Sequence, residues 1–85
     1  MNDLETYKKK IIFKASHRGS KEMDILLGNF IKKYIELFNE NELGLFNAIL
    51  DCDDDDIYQW IIGKKEIPNQ YSNRVFSLLI NNTKN

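Results

Sequence analysis

Residues 23–38, MDILLGNFIKKYIELF, decide the fold that we predict for this chain. Apolar side chains recur in this stretch three and four positions apart, which is the spacing of one face of an α-helix. The same spacing recurs on both sides of it, and the 85 residues contain only four glycines and one proline. The pattern predicts five short helices, so we expect an all-α protein, a compact five-helix bundle that forms a single domain over residues 1–85.

Capping residues mark the boundaries of the predicted helices. Ser20 can accept a hydrogen bond from a free N–H of the second helix, which then continues to Phe38. Asn39 and Glu42 form the asparagine variant of a capping box before the third helix. The other predicted boundaries are Ser16–Gly19 at the end of the first helix, Asp53 or Asp54 before the fourth, Gly63 after it, Pro68 at the start of the fifth, and a frayed tail at Asn81–Asn85.

Composition excludes several classes of protein. The net charge is −1 and the pI is about 5.8, whereas a dedicated nucleic-acid binder needs a surplus of basic residues. The single cysteine, Cys52, excludes an internal disulfide and is typical of a reducing compartment. No apolar run approaches the ~20 residues of a membrane span. We expect no nucleic-acid partner and no membrane insertion, and we expect a monomer.

The first five residues, MNDLE, carry the prediction of cellular location. They lack a secretory apolar segment, and they lack the Arg-rich, acid-poor composition of a mitochondrial presequence. The sequence therefore predicts a complete protein of the bacterial cytoplasm.

Catalytic residues are scarce. A nucleophile needs a general base that a third group holds in place, and this chain has one histidine, His17, and one thiol, Cys52. Asp51 and Asp53 flank the thiol, and their negative charge disfavours the reactive thiolate. The sequence also lacks a glycine-rich phosphate loop and a dinucleotide-binding motif. We predict that the protein is not an enzyme and has no catalytic residue.

The acidic run Asp51–Asp56 allows three interpretations. Its first residues match the start of a calcium-binding loop, but Asp56 replaces the turn glycine and Ile62 replaces the bidentate glutamate. Carboxylates also stabilise the N-terminus of a following helix. Four consecutive aspartates exceed what capping needs, so a patch that faces a partner stays open beside the capping role. We predict no metal site.

Two aromatic residues follow the acidic run. Tyr58 and Trp60 are two positions apart and cannot share a helix face. Trp60 aligns with Ile57 and Ile61, which favours a core position for Trp60 and a surface position for Tyr58. Tryptophan is also a frequent interface anchor, so a contact role for Trp60 stays open.

The segment Arg18-Gly19-Ser20-Lys21-Glu22 is harder to explain as structure alone. An ordinary ion pair between Arg18 and Glu22 would stabilise a helix by only ~0.3–0.5 kcal/mol. Gly19 lies between them, where it permits a sharp turn or the close approach of another backbone. An arginine can grip a carboxylate through two parallel hydrogen bonds. The segment fits either a contact with a polar cleft of another protein or a capped helix junction with incidental charges.

Two blocks of sequence, residues 18–24 (RGSKEMD) and residues 50–60 (LDCDDDDIYQW), resemble those of the SdhE family, the succinate dehydrogenase assembly factor 2 proteins. The first block is similar to the family's RGxxE signature. The second is similar to its block of leucine, acid, cysteine, paired aspartates and tryptophan. The spacing of the blocks and the lone proline before the last helix also agree. Asp55 departs from the bacterial pattern, which often has proline there, and His17 replaces a commonly basic residue.

The resemblance implies a compact five-helix assembly factor. Such a protein binds the flavoprotein subunit of succinate dehydrogenase, or in some bacteria that of fumarate reductase, and promotes covalent attachment of FAD to a histidine of that subunit. It binds no cofactor stably itself. Six residues form the implied contact: Arg18, Gly19 and Glu22 enter the flavoprotein near its substrate site, and Asp24, Asp53 and Asp54 flank them. The alternative function is an antitoxin-like inhibitory interaction module.

Overall fold

The computed structural model describes residues 3–84 and confirms the predicted all-α fold. Its five α-helices are α1 (Asp3–Ser16), α2 (Lys21–Tyr34), α3 (Glu40–Leu50), α4 (Asp54–Ile61) and α5 (Arg74–Thr83). A 3-10 turn, Asn69–Tyr71, lies between α4 and α5. α1 packs against α2 and α3, and α5 packs against the same two helices. No helix within residues 3–84 has the length and apolar character needed to cross a membrane.

Aromatic side chains fill the centre of the bundle. Phe30 of α2 and Phe46 of α3 are fully buried, and their ring centroids lie 5.3 Å apart. Trp60 is 8% exposed and stacks on Tyr71, whereas Tyr58 is 40% exposed. The predicted division between a core tryptophan and a surface tyrosine is confirmed.

The predicted helix caps are largely confirmed. Ser20 Oγ accepts from Met23 N at 3.2 Å, and Asn39 and Glu42 form both bonds of the capping box. Gly63 follows α4 with a φ of 81°, a left-handed conformation that favours glycine. Asp53 occupies the N-cap position of α4, but its side chain makes no capping hydrogen bond.

α1 and α2 lie close together at Gly28. A Cβ atom at this position would lie 3.0 Å from Ser16 Oγ, which is closer than an unstrained contact. The glycine is buried inside α2, where it costs about 1 kcal/mol relative to alanine. Helix packing explains this glycine, because a larger residue would push the two helices apart.

Two helix boundaries differ from the prediction. α2 ends at Tyr34, and residues 35–37 form a turn in which Leu37 N donates to the Tyr34 carbonyl at 2.9 Å. This turn returns Phe38 to the core and leaves Leu37 73% exposed, although its spacing had placed it on the buried face. α5 begins at Arg74.

The start of α5 and its end both reflect local hydrogen bonds. Asn73 accepts from Phe76 N at 3.2 Å and caps α5, whereas Pro68 has the extended ψ of 146° and precedes only the 3-10 turn. α5 continues to Thr83, so residues 81–83 of the predicted frayed tail are helical. Thr83 Oγ1 donates to the Ile80 carbonyl at 2.7 Å. Asn85 lies outside the described residues.

Candidate functional site

The two sequence blocks meet at one carboxylate. Arg18 Nε donates to Asp54 Oδ1 at 2.7 Å, and the backbone N–H of Gly19 donates to Asp54 Oδ2 at 2.8 Å. Asp54 lies at the start of α4, and Arg18 lies in the loop between α1 and α2. The contact therefore fixes the α1–α2 loop against the N-terminus of α4. We call this arrangement, formed by Arg18, Gly19 and Asp54, the junction.

The rest of the Arg18 guanidinium binds backbone carbonyls. It donates to Leu50 O at 2.8 Å, to Cys52 O at 3.1 Å and to Lys14 O at 3.3 Å. The last carbonyls of a helix have no partner within it, and a guanidinium can satisfy them. The Arg18 side chain is only 11% exposed as a result.

In the structure the Arg18 guanidinium lies against the protein's own bundle, and its contact with a partner stays a prediction. Nε and both terminal nitrogens of Arg18 donate to acceptors of this bundle, because the end of α3 and the start of α4 both lie beside the loop. Arg18 links the α1–α2 loop to the end of α3 and the start of α4, while Gly19 and Glu22 beside it are exposed.

Glycine suits position 19 because the Asp54 side chain lies close to it, and not because the backbone makes a sharp turn there. Among the described residues, Gly63 alone has a positive φ, so the backbone of Gly19 does not require glycine. A Cβ at Gly19 would lie 3.3 Å from Asp54 Oδ2. A side chain there would press on the carboxylate that the Gly19 N–H binds.

The six predicted contact residues divide into two groups. Asp24 turns inward, and its Oδ1 accepts from the Arg18 backbone N–H. Glu22 and Asp53 are exposed, and neither side chain forms a hydrogen bond or ion pair with another residue in 3–84. Asp24 therefore belongs with the junction residues, while Glu22 and Asp53 are open to a partner.

A shallow groove of about 320 Å³ opens beside the junction. Residues of the α2 N-terminus form one side of it, and residues of α4 form the other. Three of its residues, Met23, Asp55 and Tyr58, were not among the six predicted contact residues. The exposure of Tyr58 was predictable, but its place in one groove with Glu22 depends on how the α1–α2 loop meets the start of α4. The residues that line the groove are Ser20, Glu22, Met23, Asp54, Asp55 and Tyr58.

Three carboxylates of the acidic run, those of Asp51, Asp54 and Asp56, have separate partners. Asp51 accepts from Lys14 at 2.6 Å, and Asp56 lies 3.7 Å from the Lys65 ammonium. Asp54 is occupied by the junction. Residues 3–84 contain no group of three or more His, Cys, Asp and Glu side chains placed to hold a metal ion.

His17 and Cys52 have unrelated surroundings. His17 stacks on Phe13 with ring centroids 3.9 Å apart, and its Nδ1 lies 2.9 Å from the Phe13 carbonyl. The Cys52 thiol donates to Ala48 O at 3.7 Å. A hydrogen bond with the Cys52 side chain raises the pKa of the Tyr71 phenol above its ordinary value. This bond is the largest of the influences on that pKa. These contacts give neither side chain the partner that a nucleophile and its base require.

Comparison with known proteins matches both halves of this site. The model of the family described as "Flavinator of succinate dehydrogenase" matches residues 9–83. Succinate dehydrogenase assembly factor 2, mitochondrial, of Dictyostelium discoideum is 33% identical over 85 residues, which is 100% of this chain and 60% of the relative. The 2-B form from Drosophila mojavensis is 35% identical over 78 residues, 89% of this chain and 50% of the relative.

These relatives also bear on size and location. The chain spans about half to three fifths of their length, with 60% and 50% of the two relatives covered. The prediction of a bacterial cytoplasmic protein is wrong, because the relatives are eukaryotic and are named as mitochondrial. That prediction rested on the composition of five residues, a weaker signal than similarity along the whole chain.

Proposed function

The chain belongs to the family of flavinators of succinate dehydrogenase, as its two sequence blocks predicted, and from this membership we propose that it promotes covalent attachment of FAD to the flavoprotein subunit of that enzyme. We propose a mitochondrial location on the same ground. The family match supports the proposal most directly, because residues 9–83 include both blocks, the C-terminal half of α1 and the whole of the other helices.

The proposed role is that of an assembly factor without catalysis of its own. The bond-forming step belongs to the flavin and to the acceptor histidine of the flavoprotein. This chain binds the flavoprotein and favours the arrangement in which the two groups meet, and such preorganisation can supply a large part of a rate enhancement. The association is transient and the chain acts as a monomer, which fits a small polar contact surface.

Different residues do different work in this role. Glu22 and Asp53 contact the flavoprotein, because both are exposed and have no partner among the described residues. Arg18 and Asp54 position that surface through the junction, and Gly19 allows the carboxylate of Asp54 to come close. Asp24 supports the junction from α2.

The groove beside the junction is a poor site for FAD itself. The diphosphate of FAD is anionic, and the groove presents the carboxylates of Glu22, Asp54 and Asp55. Their repulsion disfavours a bound dinucleotide. The chain therefore acts on FAD attachment in its partner without holding the cofactor stably.

An assay of covalent flavin tests the proposal. The flavoprotein subunit, prepared without flavin, is incubated with FAD in the presence or absence of this chain. Covalent flavin is then measured as fluorescence of the protein band on a denaturing gel. We expect the chain to increase this fluorescence, and we expect the same amount of Glu22→Gln to increase it less. Glu40→Gln, an exposed acid at the start of α3, is the matched control. Equal fluorescence with and without the chain would contradict the proposed function.

A further inference from the structure

We propose that the groove beside the junction receives one arginine side chain of the flavoprotein subunit, an inference that rests on the proposed function and specifies what its surface recognises. The groove lies between the first turn of α2 and the first turns of α4. The junction fixes these two segments relative to each other, so the groove exists before a partner arrives. A preformed groove lowers the entropic cost of binding.

The floor of the groove is apolar. Met23, which is 4% exposed, and Tyr58, which is 40% exposed, are the two lining residues with large apolar side chains. Long charged side chains bury their methylene stems along apolar surface while the charged head stays polar. A guanidinium also stacks favourably on a tyrosine face. The floor therefore suits a long, flat cationic side chain.

The walls of the groove carry unpaired negative charge. Glu22 and Asp55 are exposed, and neither side chain forms a hydrogen bond or ion pair with another described residue. The third carboxylate, Asp54, already uses both oxygens in the junction. None of the described residues that line the groove is basic. An occupant that is cationic would satisfy carboxylates that the chain leaves unpaired.

Arginine fits this combination better than the other cations. A divalent metal needs converging ligands, which are absent among residues 3–84. A lysine ammonium is a compact point charge, so it cannot stack flat on a ring and donate two parallel hydrogen bonds to a carboxylate at the same time. A guanidinium can lie against the Tyr58 ring while its edge donates two parallel bonds to Glu22 or Asp55.

The test measures binding of the purified flavoprotein subunit to this chain by titration calorimetry at several salt concentrations. We expect the double variant Glu22→Gln, Asp55→Asn to raise the dissociation constant at least about tenfold, as loss of charge-assisted bonds predicts. The salt dependence of binding should fall with it. Tyr58→Leu should weaken binding more than Tyr58→Phe, which keeps an aromatic face.

Controls separate this inference from the proposed function. The exposed acids Glu40 and Glu66 lie outside the groove, so the double variant Glu40→Gln, Glu66→Gln removes the same charge without affecting binding. Thermal unfolding of each variant confirms that it is folded. Wild-type binding that the groove variants leave unchanged would overturn the arginine site and leave the proposed function intact. Failure of the wild-type chain to bind the flavoprotein would overturn both.

A cross-linking experiment distinguishes arginine from lysine as the occupant of the groove. Carbodiimide couples carboxylates to lysine amines and does not couple them to a guanidinium. A zero-length cross-link from Glu22 or Asp55 to a lysine of the flavoprotein would overturn the arginine assignment. Absence of that cross-link, together with the tenfold loss of affinity in the groove variant, is the expected result.

Discussion

Arg18 and Asp54 lie 36 positions apart in the sequence, yet the guanidinium Nε and the carboxylate Oδ1 lie 2.7 Å apart in the fold. Both side chains are largely shielded, with exposures of 11% and 23%. The contact joins the two sequence blocks, and the unpaired side chains of Glu22 and Asp53 belong to the two segments that it holds together. The acidic surface of this protein thus depends on an arginine that does not face outward.

Arg18→Lys should destabilise the protein although it preserves the charge. A lysine cannot satisfy Asp54, Leu50 O and Cys52 O together, so partly buried acceptors lose their donors. We expect the free energy of unfolding to fall by about 1–3 kcal/mol in urea denaturation. Arg74→Lys is the control, because Arg74 is 71% exposed in its ion pair with Glu42, and its cost should stay below about 0.5 kcal/mol. Equal effects of the two variants would refute the structural role of Arg18.

Alanine should have opposite effects at two other glycines. At Gly44, inside α3, a new Cβ would meet only Tyr7 Oη at 3.9 Å, an ordinary contact. The better helix propensity of alanine should then add about 0.5–1 kcal/mol of stability. At Gly63 the φ of 81° strains any L-residue, and Gly63→Ala should cost about 1–2 kcal/mol. Thermal unfolding curves check both signs, and a shift in the same direction for both would be evidence against these backbone conformations.

Ser16 and Gly28 should show energetic coupling. Ser16 Oγ is buried without a hydrogen-bond partner among the described residues, so Ser16→Ala should be neutral or stabilising by up to about 1 kcal/mol. Gly28→Ala alone should destabilise the protein, since its Cβ would lie 3.0 Å from that oxygen. In the Ser16→Ala background, Gly28→Ala should lower the free energy of unfolding by a smaller amount. The difference between the two effects, the coupling energy, should be about 0.5–3 kcal/mol. A double-mutant cycle in urea measures it, and additive effects would show that the two positions do not meet.

Positioning and contact residues should separate in paired measurements of stability and flavin attachment. Asp54→Asn weakens the junction, so we expect it to lower both the free energy of unfolding, by about 1–2 kcal/mol, and covalent flavin on the partner. Asp53→Asn removes an exposed, unpaired charge and should lower flavin attachment with a change in stability within about 0.5 kcal/mol. A loss of stability in Asp53→Asn equal to that in Asp54→Asn would contradict the division of roles.

The sequence was sufficient for features that depend on neighbours along the chain. Ser20 and Asn39 were placed correctly as caps because an N-cap bond reaches only three residues ahead. Trp60 and Tyr58 were separated correctly because helical periodicity alone puts them on different faces.

Features that depend on backbone groups far away in the sequence could not be predicted from neighbouring residues. The inward orientation of Arg18 follows from carbonyls 32 and 34 positions away, whose directions are set only when α3 ends beside the α1–α2 loop. Leu37 matched the buried stripe of α2 but is exposed, because the chain turns at Tyr34 to bring Phe38 into the core. Pro68 looked like a helix start, yet the stronger cap at Asn73 determined where α5 begins.

Hydrogen–deuterium exchange of this chain, alone and with the flavoprotein subunit, tests most directly whether the two blocks form one contact surface. We predict that amides of residues 19–24 and 53–58 gain protection together when the flavoprotein is added. The amides of residues 62–67 serve as an internal reference, since they follow the end of α4, and should not change. Protection of one block without the other, or protection confined to residues 62–67, would contradict the account.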